Sequence, residues 1–404
     1  MTDTHAVETA IVGGGPAGAA LAARLAAHGH EVALFERLRQ PRWRASGVYS
    51  SPLTRRRLAA LGLPADRLAA LIRPIEAMVI ETADGTISAR LEYEAPDHAC
   101  GIDRVRLEEA LLEHARRAGA QVHEAATVRQ VHIGERGGGL LVSTADGPAW
   151  WRARLVVGAD GPSSIVARAG GAGVATRRFR RAALTGHRRD PTAAPPAEPM
   201  AARMILGDGW YLGLAPVPDG RVNLGLVLGE DELRAQLAKR AGLDGIVDAA
   251  LAQVRGAGHV LATAERTDEM QAHLPLVHRV SRAAGPGFVL VGDAAGFIDP
   301  LSGEGLHRAL VSAALAARQI GRWHAGDRLA LTDYDRRLRA RFRSKDVVSW
   351  LLQLFLFQPG VARYALTRLA RRPGARRTLA AGLADLIPAS RLVDPRFHLR
   401  VLAP

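Results

Sequence analysis

The chain has 404 residues and a hydrophobic fraction of 48%, which is typical of a folded protein with more than one core. This composition excludes a disordered or collagen-like chain. The single cysteine, Cys100, excludes an intramolecular disulfide and a cysteine metal cluster. The cysteine content is compatible with a reducing compartment, and no metal-binding residues are assigned from the sequence.

The net charge of +14 lies mostly near the C-terminus, where residues 336–404 carry 15 basic and 3 acidic side chains. They flank the apolar stretch 347–357, which is too short to span a bilayer. Two interpretations stay open: solvated helix faces, or peripheral contact with an anionic membrane. Nucleic-acid binding is not expected, because no known binding motif accompanies the arginines. Since no signal peptide is visible, we expect a cytoplasmic protein.

The first predicted elements are a strand, a glycine-rich loop, a helix and a strand, at residues 6–12, 13–18, 19–28 and 31–36. The loop has the G-x-G-x-x-G spacing of a dinucleotide-binding turn. Gly15 lets the backbone approach a pyrophosphate, whereas Gly13 and Gly18 permit the turn and close packing. Glu36 ends the second strand, where its carboxylate would bind a ribose diol and repel a 2′-phosphate. This pattern predicts FAD or NAD, and not NADP.

The next segments combine a cofactor candidate with the start of a second domain. In the loop of residues 41–51, Arg44 either reaches ligand phosphates or lies in solvent. Residues 74–94 have the pattern of a β-hairpin, which begins a sheet-based domain. Arg104 starts the helix predicted for residues 101–118, where the helix dipole disfavours a cation. Arg104 is therefore a candidate for cofactor binding.

Further strands divide between two predicted sheets. Those of the first sheet lie at residues 121–133, 140–144 and 155–158, and those of the second at residues 181–189, 201–206, 210–214 and 221–228. The strand at 155–158 runs to Asp160, before a Gly-Pro turn. Trp210 and Tyr211 lie in the most aromatic segment of the second sheet, which either lines a substrate pocket or packs in the core.

A second strand–loop–helix unit lies at residues 287–310. Four apolar residues predict a buried strand, after which Gly292 allows a turn and Asp293 places a carboxylate at the strand's carboxyl end. Pro300 interrupts the chain before an alanine-rich helix that begins near Gly305. The free N–H groups and positive dipole end of that helix suit an electron-rich ring.

Three pieces in this order resemble the FAD-dependent oxidoreductases of the para-hydroxybenzoate hydroxylase-like superfamily: the glycine loop with Glu36, the segment at Asp160 and the segment at Asp293. The segments DAAGF (293–297) and PLSGEG (300–305) are similar to the geranylgeranyl reductase family within it, as are HLPL (273–276) and NLGL (223–226). The resemblance covers about residues 6–325.

The element order and the resemblance together imply an α/β fold with three parts. A discontinuous, Rossmann-like FAD-binding domain is expected at residues 1–72, 100–180 and 270–331. An antiparallel-sheet substrate domain is expected at residues 73–99 and 181–269, and a helical C-terminal region at residues 332–404.

The resemblance also implies roles for individual residues. The residues expected to bind FAD are Gly13, Gly15, Pro16, Ala17, Gly18, Glu36, Arg37, Arg44, Arg104, Val128, Asp160, Asp293, Pro300, Gly303, Gly305 and Leu306. Glu36 would bind the adenosine ribose, Arg104 the middle of FAD, and Asp293 the ribityl or pyrophosphate region. The backbone near Val128 would contact the adenine, Asp160 would support the site from below, and the N–H groups of residues 303, 305 and 306 would face the pyrimidine edge of the flavin. Ser46, Trp210 and Tyr211 are expected to contact substrate, and no residue is assigned a catalytic role.

The implied activity is reduction of a C=C bond in an apolar, isoprenoid- or polyketide-like substrate, with NAD(P)H or a carrier as electron donor. Prenyl-reducing relatives often carry Cys-Gly where this chain has Ser46-Gly47, and a hydroxyl is a poorer acid than a thiol. That difference favours an alternative, an FAD-dependent monooxygenase (hydroxylase or epoxidase), whereas Gly296 favours reduction. A third hypothesis is a flavoprotein that uses FAD without net redox chemistry, and a fourth is a basic adaptor protein without flavin.

Overall fold

The computed structural model describes residues 4–93, 97–135, 137–174, 180–195, 198–239, 242–274, 276–298 and 303–402. Its strands are β1 (Thr4–Val12), β2 (Val32–Phe35), β3 (Tyr49–Ser50), β4 (Ile72–Thr82), β5 (Ser88–Glu92), β6 (Ala99–Ile102), β7 (Gln121–His123), β8 (Thr127–Gly134), β9 (Gly137–Thr144), β10 (Gly147–Gly158), β11 (Gly173–Val174), β12 (Arg181–Arg189), β13 (Met200–Leu206), β14 (Trp210–Val217), β15 (Arg221–Gly229), β16 (Gln271–His273), β17 (Arg279–Val280), β18 (Ala284–Gly285) and β19 (Phe288–Leu290). Its α-helices are α1 (Pro16–Ala27), α2 (Pro52–Ala59), α3 (Ala65–Leu71), α4 (Arg104–Arg117), α5 (Ile165–Ala169), α6 (Glu230–Ala238), α7 (Leu243–Ala252), α8 (Gly305–His324), α9 (Ala330–Leu356), α10 (Pro359–Ala370), α11 (Pro373–Leu383), α12 (Ser390–Val393) and α13 (Pro395–Leu402). Short 3₁₀ helices lie at Gly256–Thr263 and Gly292–Ala295.

The first sheet is parallel through β19, β10, β1, β2 and β7, in that spatial order. Helices α1, α4 and α8 cover one face, and the β8–β9 hairpin with α5 covers the other. Because both faces are covered, the carboxyl-terminal parts of the central strands, at residues 10–12, 32–35 and 155–157, are continuously apolar and do not alternate. Ile11, Val157 and Val289 are fully buried, and each such side chain contributes about 1.5–3 kcal/mol through burial.

Strand register brings three distant parts of the chain to one edge of this sheet. Val12, at the end of β1, pairs with Gly158 at the end of β10, which pairs in turn with Leu290 at the end of β19. Phe35, at the end of β2, also lies beside Val12. The loops after all four strands therefore leave the sheet together, at the edge where open α/β sheets bind ligands.

The second sheet has the order β16–β12–β15–β14–β13–β4–β6–β3, with β5 beside β4. Its neighbouring strands are antiparallel, apart from the parallel pair β4–β13. The predicted antiparallel substrate sheet is thus confirmed with one departure. A long connection separates β4 from β13 in the chain, and only a long crossover can join parallel neighbours.

The residues described beyond 330 are helical apart from short connections, as the sequence predicts. Helices α10 and α11 pack on β5 and cover the second sheet on the face opposite α6 and α7. None of the described helices combines the length and the apolar composition that crossing a membrane requires.

Candidate functional site

The glycine loop is shaped by close packing at two glycines and by open space at a third. Gly13 has φ +104°, and a Cβ there would lie 2.5 Å from the carbonyl oxygen of Ala159. A Cβ at Gly18 would collide with the carbonyl oxygen of Gly13, whereas a Cβ at Gly15 would meet no atom within 4 Å. The backbone at Gly15 is therefore accessible to a ligand, as the sequence pattern predicts.

Helix α1 begins directly at this open side. Pro16 occupies its first turn, and no side chain of the described residues caps it. The N–H groups of Ala17 and Gly18 lie in the first turn, where helix N–H groups have no intrahelical acceptor. Together with the positive end of the helix dipole, they form a site for a pyrophosphate.

Glu36 is held beside the glycine loop, at the end of β2. Its Oε2 accepts a hydrogen bond from the N–H of Gly14 at 2.8 Å, and its Oε1 accepts one from the N–H of Leu38 at 3.0 Å. These bonds orient the buried carboxylate toward the loop and leave lone pairs for a ribose diol. Arg37 follows in an exposed position.

The start of β8 lies close to Glu36. The N–H of Ala126 donates to the carbonyl of Glu36 at 2.9 Å, and the N–H of Ala125 donates to the carbonyl of Leu38 at 3.0 Å. Val128 follows two residues later, so its backbone lies near the ribose end of the site. A cleft of about 890 Å³ adjoins this end, between α3, α4 and the loop after β2, and is bordered by Arg39, Arg67, Leu112, Arg116 and Ala125 among others.

Arg44 and Arg104 converge on a carboxylate that the sequence analysis does not single out. Nη2 of Arg44 lies 2.9 Å from Oε2 of Glu108, and Nη2 of Arg104 lies 3.2 Å from Oε1. Arg104 also donates from Nη1 to the carbonyl of Gly47 at 2.9 Å. These contacts fasten the loop before β3 to α4. The spacing of Arg104 and Glu108 at i and i+4 on one helix is the signal that could have found Glu108.

Two carboxyl groups lie at the ends of β10 and β19. Asp160 accepts a hydrogen bond from the N–H of Ile165 at 2.7 Å, while its Oδ1 is buried without a hydrogen-bond partner among the described residues. Burial raises the pKa of Asp160. Asp293 is only partly accessible, and desolvation raises its pKa to about 6, although the guanidinium groups of Arg104 and Arg308 act in the opposite direction.

Asp293 is the better placed of the two to bind a ligand. Its carboxylate accepts no hydrogen bond within the described parts of the chain, and it follows Gly292, where a Cβ would lie 2.8 Å from the Cβ of Ala17. Gly292 therefore packs against the first turn of α1, and Asp293 is the next residue in the chain. A hydroxylated chain that runs past the pyrophosphate site would supply the missing donors.

The loop before α8 completes the site. Gly303 has φ +64°, and a Cβ there would collide with the ring of Tyr49. No described side chain caps α8, and a Cβ at Gly305 would come no closer than 3.9 Å to Phe297. Leu306 is buried. The first-turn N–H groups therefore suit an anionic ring edge. Pro300 lies outside the described residues.

A buried charge cluster lies at the same helix end. Nζ of Lys345, on α9, pairs with Glu304 and lies 3.1 Å from Oδ1 of Asp385. Nε2 of His307 lies 3.8 Å from the other oxygen of Asp385, and burial lowers the pKa of His307 to about 4. Burial also raises the pKa of Glu304. The cluster ties the C-terminal helices to the start of α8.

An apolar face extends from this loop, between the second sheet and the C-terminal helices. We call it the substrate face; its side chains include Met78, Tyr93, Met204, Tyr211, Leu366 and Leu369. The hydroxyl groups of Tyr49 and Tyr93 lie 2.5 Å apart at its edge. The ring of Tyr211 packs edge-on against Phe357, with ring centres 6.0 Å apart.

The three residues predicted to contact substrate do not share one surface. Ser46 is partly exposed in the loop before β3, and Tyr211 is buried in the substrate face. Trp210 lies on the opposite side of β14, where it packs against the cluster under α6 and α7. Side chains of successive strand residues point to opposite faces, which separates Trp210 from Tyr211.

These residues fit FAD. Four features lie at one edge of the first sheet: the open glycine before α1, the carboxylate of Glu36 for a ribose, the carboxylate of Asp293 without a hydrogen-bond donor, and the uncapped start of α8. Fold and site define an FAD-dependent oxidoreductase. The chain belongs to the family described as FAD binding domain, whose sequence profile matches residues 6–208. The predicted superfamily and α/β fold are thus confirmed, whereas the roles of individual residues stay predictions.

Known relatives include reductases and halogenases. Digeranylgeranylglycerophospholipid reductase 2 of Methanopyrus kandleri is 27% identical over 317 residues, which cover 76% of this chain and 75% of that protein. Flavin-dependent halogenase rdc2 of Metacordyceps chlamydosporia is 26% identical over 367 residues, 83% of this chain and 68% of that protein. A geranylgeranyl bacteriochlorophyll reductase-like structure from Thermoplasma acidophilum shares the fold, with a TM-score of 0.79, 20% identity and coverage of 97% and 99%.

Proposed function

We propose that the protein reduces a C=C bond in an apolar, isoprenoid-type substrate, with NAD(P)H or a carrier as electron donor. The observation that carries this proposal is the substrate face, which begins at the loop predicted to hold the flavin and is lined by apolar side chains. These side chains are already buried beneath α10 and α11, so a long hydrocarbon chain would have to replace part of that packing, with a gain of about 25 cal/mol per Å² of its own buried surface. The prenyl-reducing relative supports the same substrate class.

Saturation of a C=C bond adds a hydride to one carbon and a proton to the other. FAD that the electron donor has reduced would supply the hydride, and the chain must supply the proton. The hydroxyl of Tyr49 is a candidate donor, because it lies 2.5 Å from that of Tyr93 and its ring contacts Gly303. Burial raises the pKa of Tyr49 well above its usual range and that of Tyr93 to about 12, so both groups carry their protons at neutral pH but are weaker acids than a free tyrosine.

The main test is an anaerobic assay of the FAD-loaded protein with NAD(P)H and a geranylgeranyl compound. Reduction is expected to give a product heavier by two hydrogen atoms, together with oxidation of the donor. Tyr49→Phe should slow product formation while leaving reduction of the flavin by the donor unchanged. Equal product formation by wild type and Tyr49→Phe would remove Tyr49 from this role.

Oxygen insertion is the second candidate function. Ser46 at the position of a thiol and a halogenase among the relatives favour chemistry that uses O₂. Aerobic turnover under labelled O₂ distinguishes the two candidates, since a labelled product would exclude reduction as the sole activity. Product formation with an FAD analogue that cannot be reduced would instead indicate a flavoprotein without net redox chemistry.

We further propose that the protein is cytoplasmic and that its C-terminal region brings it to a membrane surface that holds the substrate. Leu354, Tyr364 and Leu399 expose 53%, 49% and 67% of their surface, and the region is rich in arginine. Apolar side chains beside cations suit peripheral contact with an anionic bilayer.

A further inference from the structure

Three side chains from distant parts of the chain meet at the edge of the first sheet, away from the flavin loops. Glu8 lies on β1, His30 lies just before β2, and His324 is the last residue of α8. One nitrogen or oxygen atom of each lies within 4.8 Å of the corresponding atoms of the other two. All three residues are partly buried.

The spacing of the first pair already suits a metal ion. Nδ1 of His30 lies 3.6 Å from Oε2 of Glu8. Two ligand atoms at zinc bond lengths of about 2.0–2.1 Å lie about 3.3 Å apart in a tetrahedral site. The third candidate ligand is also near, since the centre of the His324 ring lies 5.2 Å from that of His30 and its ligand atom lies within 4.8 Å of the other two.

The surroundings orient two of the three ligands. Nε2 of His324 is hydrogen-bonded to Oγ1 of Thr9 at 3.0 Å, which leaves Nδ1 buried without a hydrogen-bond partner in the described structure. Histidine ligands of metal ions usually make such a bond with their second nitrogen. The N–H of Glu31 donates to Oε2 of Glu8 at 3.3 Å.

Two charges act on the site in opposite directions. The C-terminal end of α8 carries a negative partial charge, which favours a cation beside His324. The guanidinium of Arg154 lies 3.5 Å from Oε1 of Glu8 and competes for the carboxylate.

We propose that Glu8, His30 and His324 bind one divalent transition-metal ion, preferably Zn²⁺, with water completing the coordination. Two imidazoles and one carboxylate are ligands that Zn²⁺ accepts, with a fourth position left to solvent. Because the ligands come from β1, the turn before β2 and the end of α8, the ion would fasten the last turn of α8 to the sheet. The site is independent of the flavin chemistry.

The test is a Zn²⁺ titration by calorimetry on untagged, FAD-loaded protein from which metal has been removed with a chelator. One ion per chain is expected, and Co²⁺ should give the visible absorption of a tetrahedral site. His30→Ala, His324→Ala and Glu8→Gln should each weaken Zn²⁺ binding at least tenfold. His28→Ala is the matched control, because His28 is an exposed neighbour that bonds the carbonyl of Arg24 instead.

Thermal unfolding supplies a second readout. Zn²⁺ should raise the midpoint of the wild type and of His28→Ala, but not that of His30→Ala, since a ligand stabilises only a state that binds it. Flavin absorption should be the same in all variants. Equal Zn²⁺ affinity in wild type and His30→Ala, an equal loss in His28→Ala, or no binding to the wild type would each overturn the proposal. Should His324→Ala fail to fold, His30→Ala decides the question.

Discussion

Gly13 and Gly15 lie two positions apart in the same loop, yet a substitution at Gly13 should lower stability, whereas one at Gly15 should weaken FAD binding. Gly15 has φ −65° and open space at its Cα, so Gly15→Ala should leave the melting temperature of the FAD-free protein unchanged. The added methyl group would occupy the place of the pyrophosphate and weaken FAD binding at least tenfold, about 1.4 kcal/mol. Gly13→Ala, strained at φ +104° and blocked by Ala159, should lower the melting temperature itself.

Thermal unfolding without FAD and fluorescence titration with FAD measure the two effects separately. A lowered melting temperature in Gly15→Ala would show that its Cα hydrogen faces protein and not ligand. Unchanged FAD affinity in a stable Gly15→Ala variant would place the pyrophosphate elsewhere.

In the absence of FAD, Asp293 should lower the stability of the folded protein at neutral pH, because its pKa is raised to about 6. A carboxyl group with a raised pKa in the folded state favours folding below its unfolded pKa, and this advantage is lost as the pH rises through 6. Asp293→Asn should therefore be more stable than the wild type at pH 8 and similar to it at pH 4, without FAD. The same substitution should weaken FAD binding at pH 8, since an ionised carboxylate accepts hydroxyl hydrogen bonds more strongly.

Melting curves of both proteins across this pH range, recorded without FAD, check the sign. A stability difference that does not change with pH would contradict the titration of Asp293. Tighter FAD binding by Asp293→Asn would contradict its role as an acceptor.

At the scale of residues, the sequence predicts those side chains that follow directly from a strand end. Glu36 and Asp293 are examples, because a strand and a turn together fix where such a carboxylate lies. Glu108 and Lys345 were not predicted. For Lys345, only the tertiary fold supplies the partner, Glu304. For Glu108, the tertiary fold supplies Arg44, whereas the i, i+4 spacing to Arg104 is visible in the sequence.

At the scale of elements, the sequence predicts the parallel strands of the first sheet from their continuous apolar runs. Burial on both faces leaves a pattern that local residues record. The parallel pairing of β4 with β13 was not predicted, because neither strand carries a local signal for its partner. The buried charges that join α8 to α9 are a second contact between elements for which neither element carries a local signal.

The attachment of α8 to α9 predicts that Lys345→Met is strongly destabilising. Lys345 is 3% exposed, and its removal leaves Glu304 and Asp385 buried without their cation. Breaking a buried ion pair by removing one partner costs about 3–5 kcal/mol. Lys239→Met is the matched control, because Lys239 is the other lysine of the chain and is exposed.

Thermal unfolding of both variants measures this difference. Adding Glu304→Gln to Lys345→Met should recover part of the loss, since one uncompensated carboxylate is then removed. Equal melting temperatures for Lys345→Met and Lys239→Met would mean that the cluster contributes nothing to stability.

At the scale of the whole molecule, the C-terminal helices have two different faces. One face closes the substrate face of the second sheet through α10 and α11. The other exposes apolar side chains, including Leu354 on α9 and Leu399 on α13, among arginines. The sequence alone could not decide between a solvated surface and membrane contact, because it does not show which helix residues remain exposed after the helices pack.

Membrane contact predicts that the protein sediments with anionic vesicles and that the apolar side chains are required. The double substitution Leu354→Glu and Leu399→Glu should abolish most of this binding. Each substitution removes an apolar side chain that would insert into the lipid and adds a negative charge that the anionic surface repels. Leu237→Glu is the control, since Leu237 is also exposed, at 42%, but lies on α6. Binding should weaken as salt rises, over a screening length of about 10 Å at 0.1 M. The proposal of membrane contact would be wrong if the double variant sedimented as well as the wild type, or if the wild type did not bind. The arginines would then be a solvated surface.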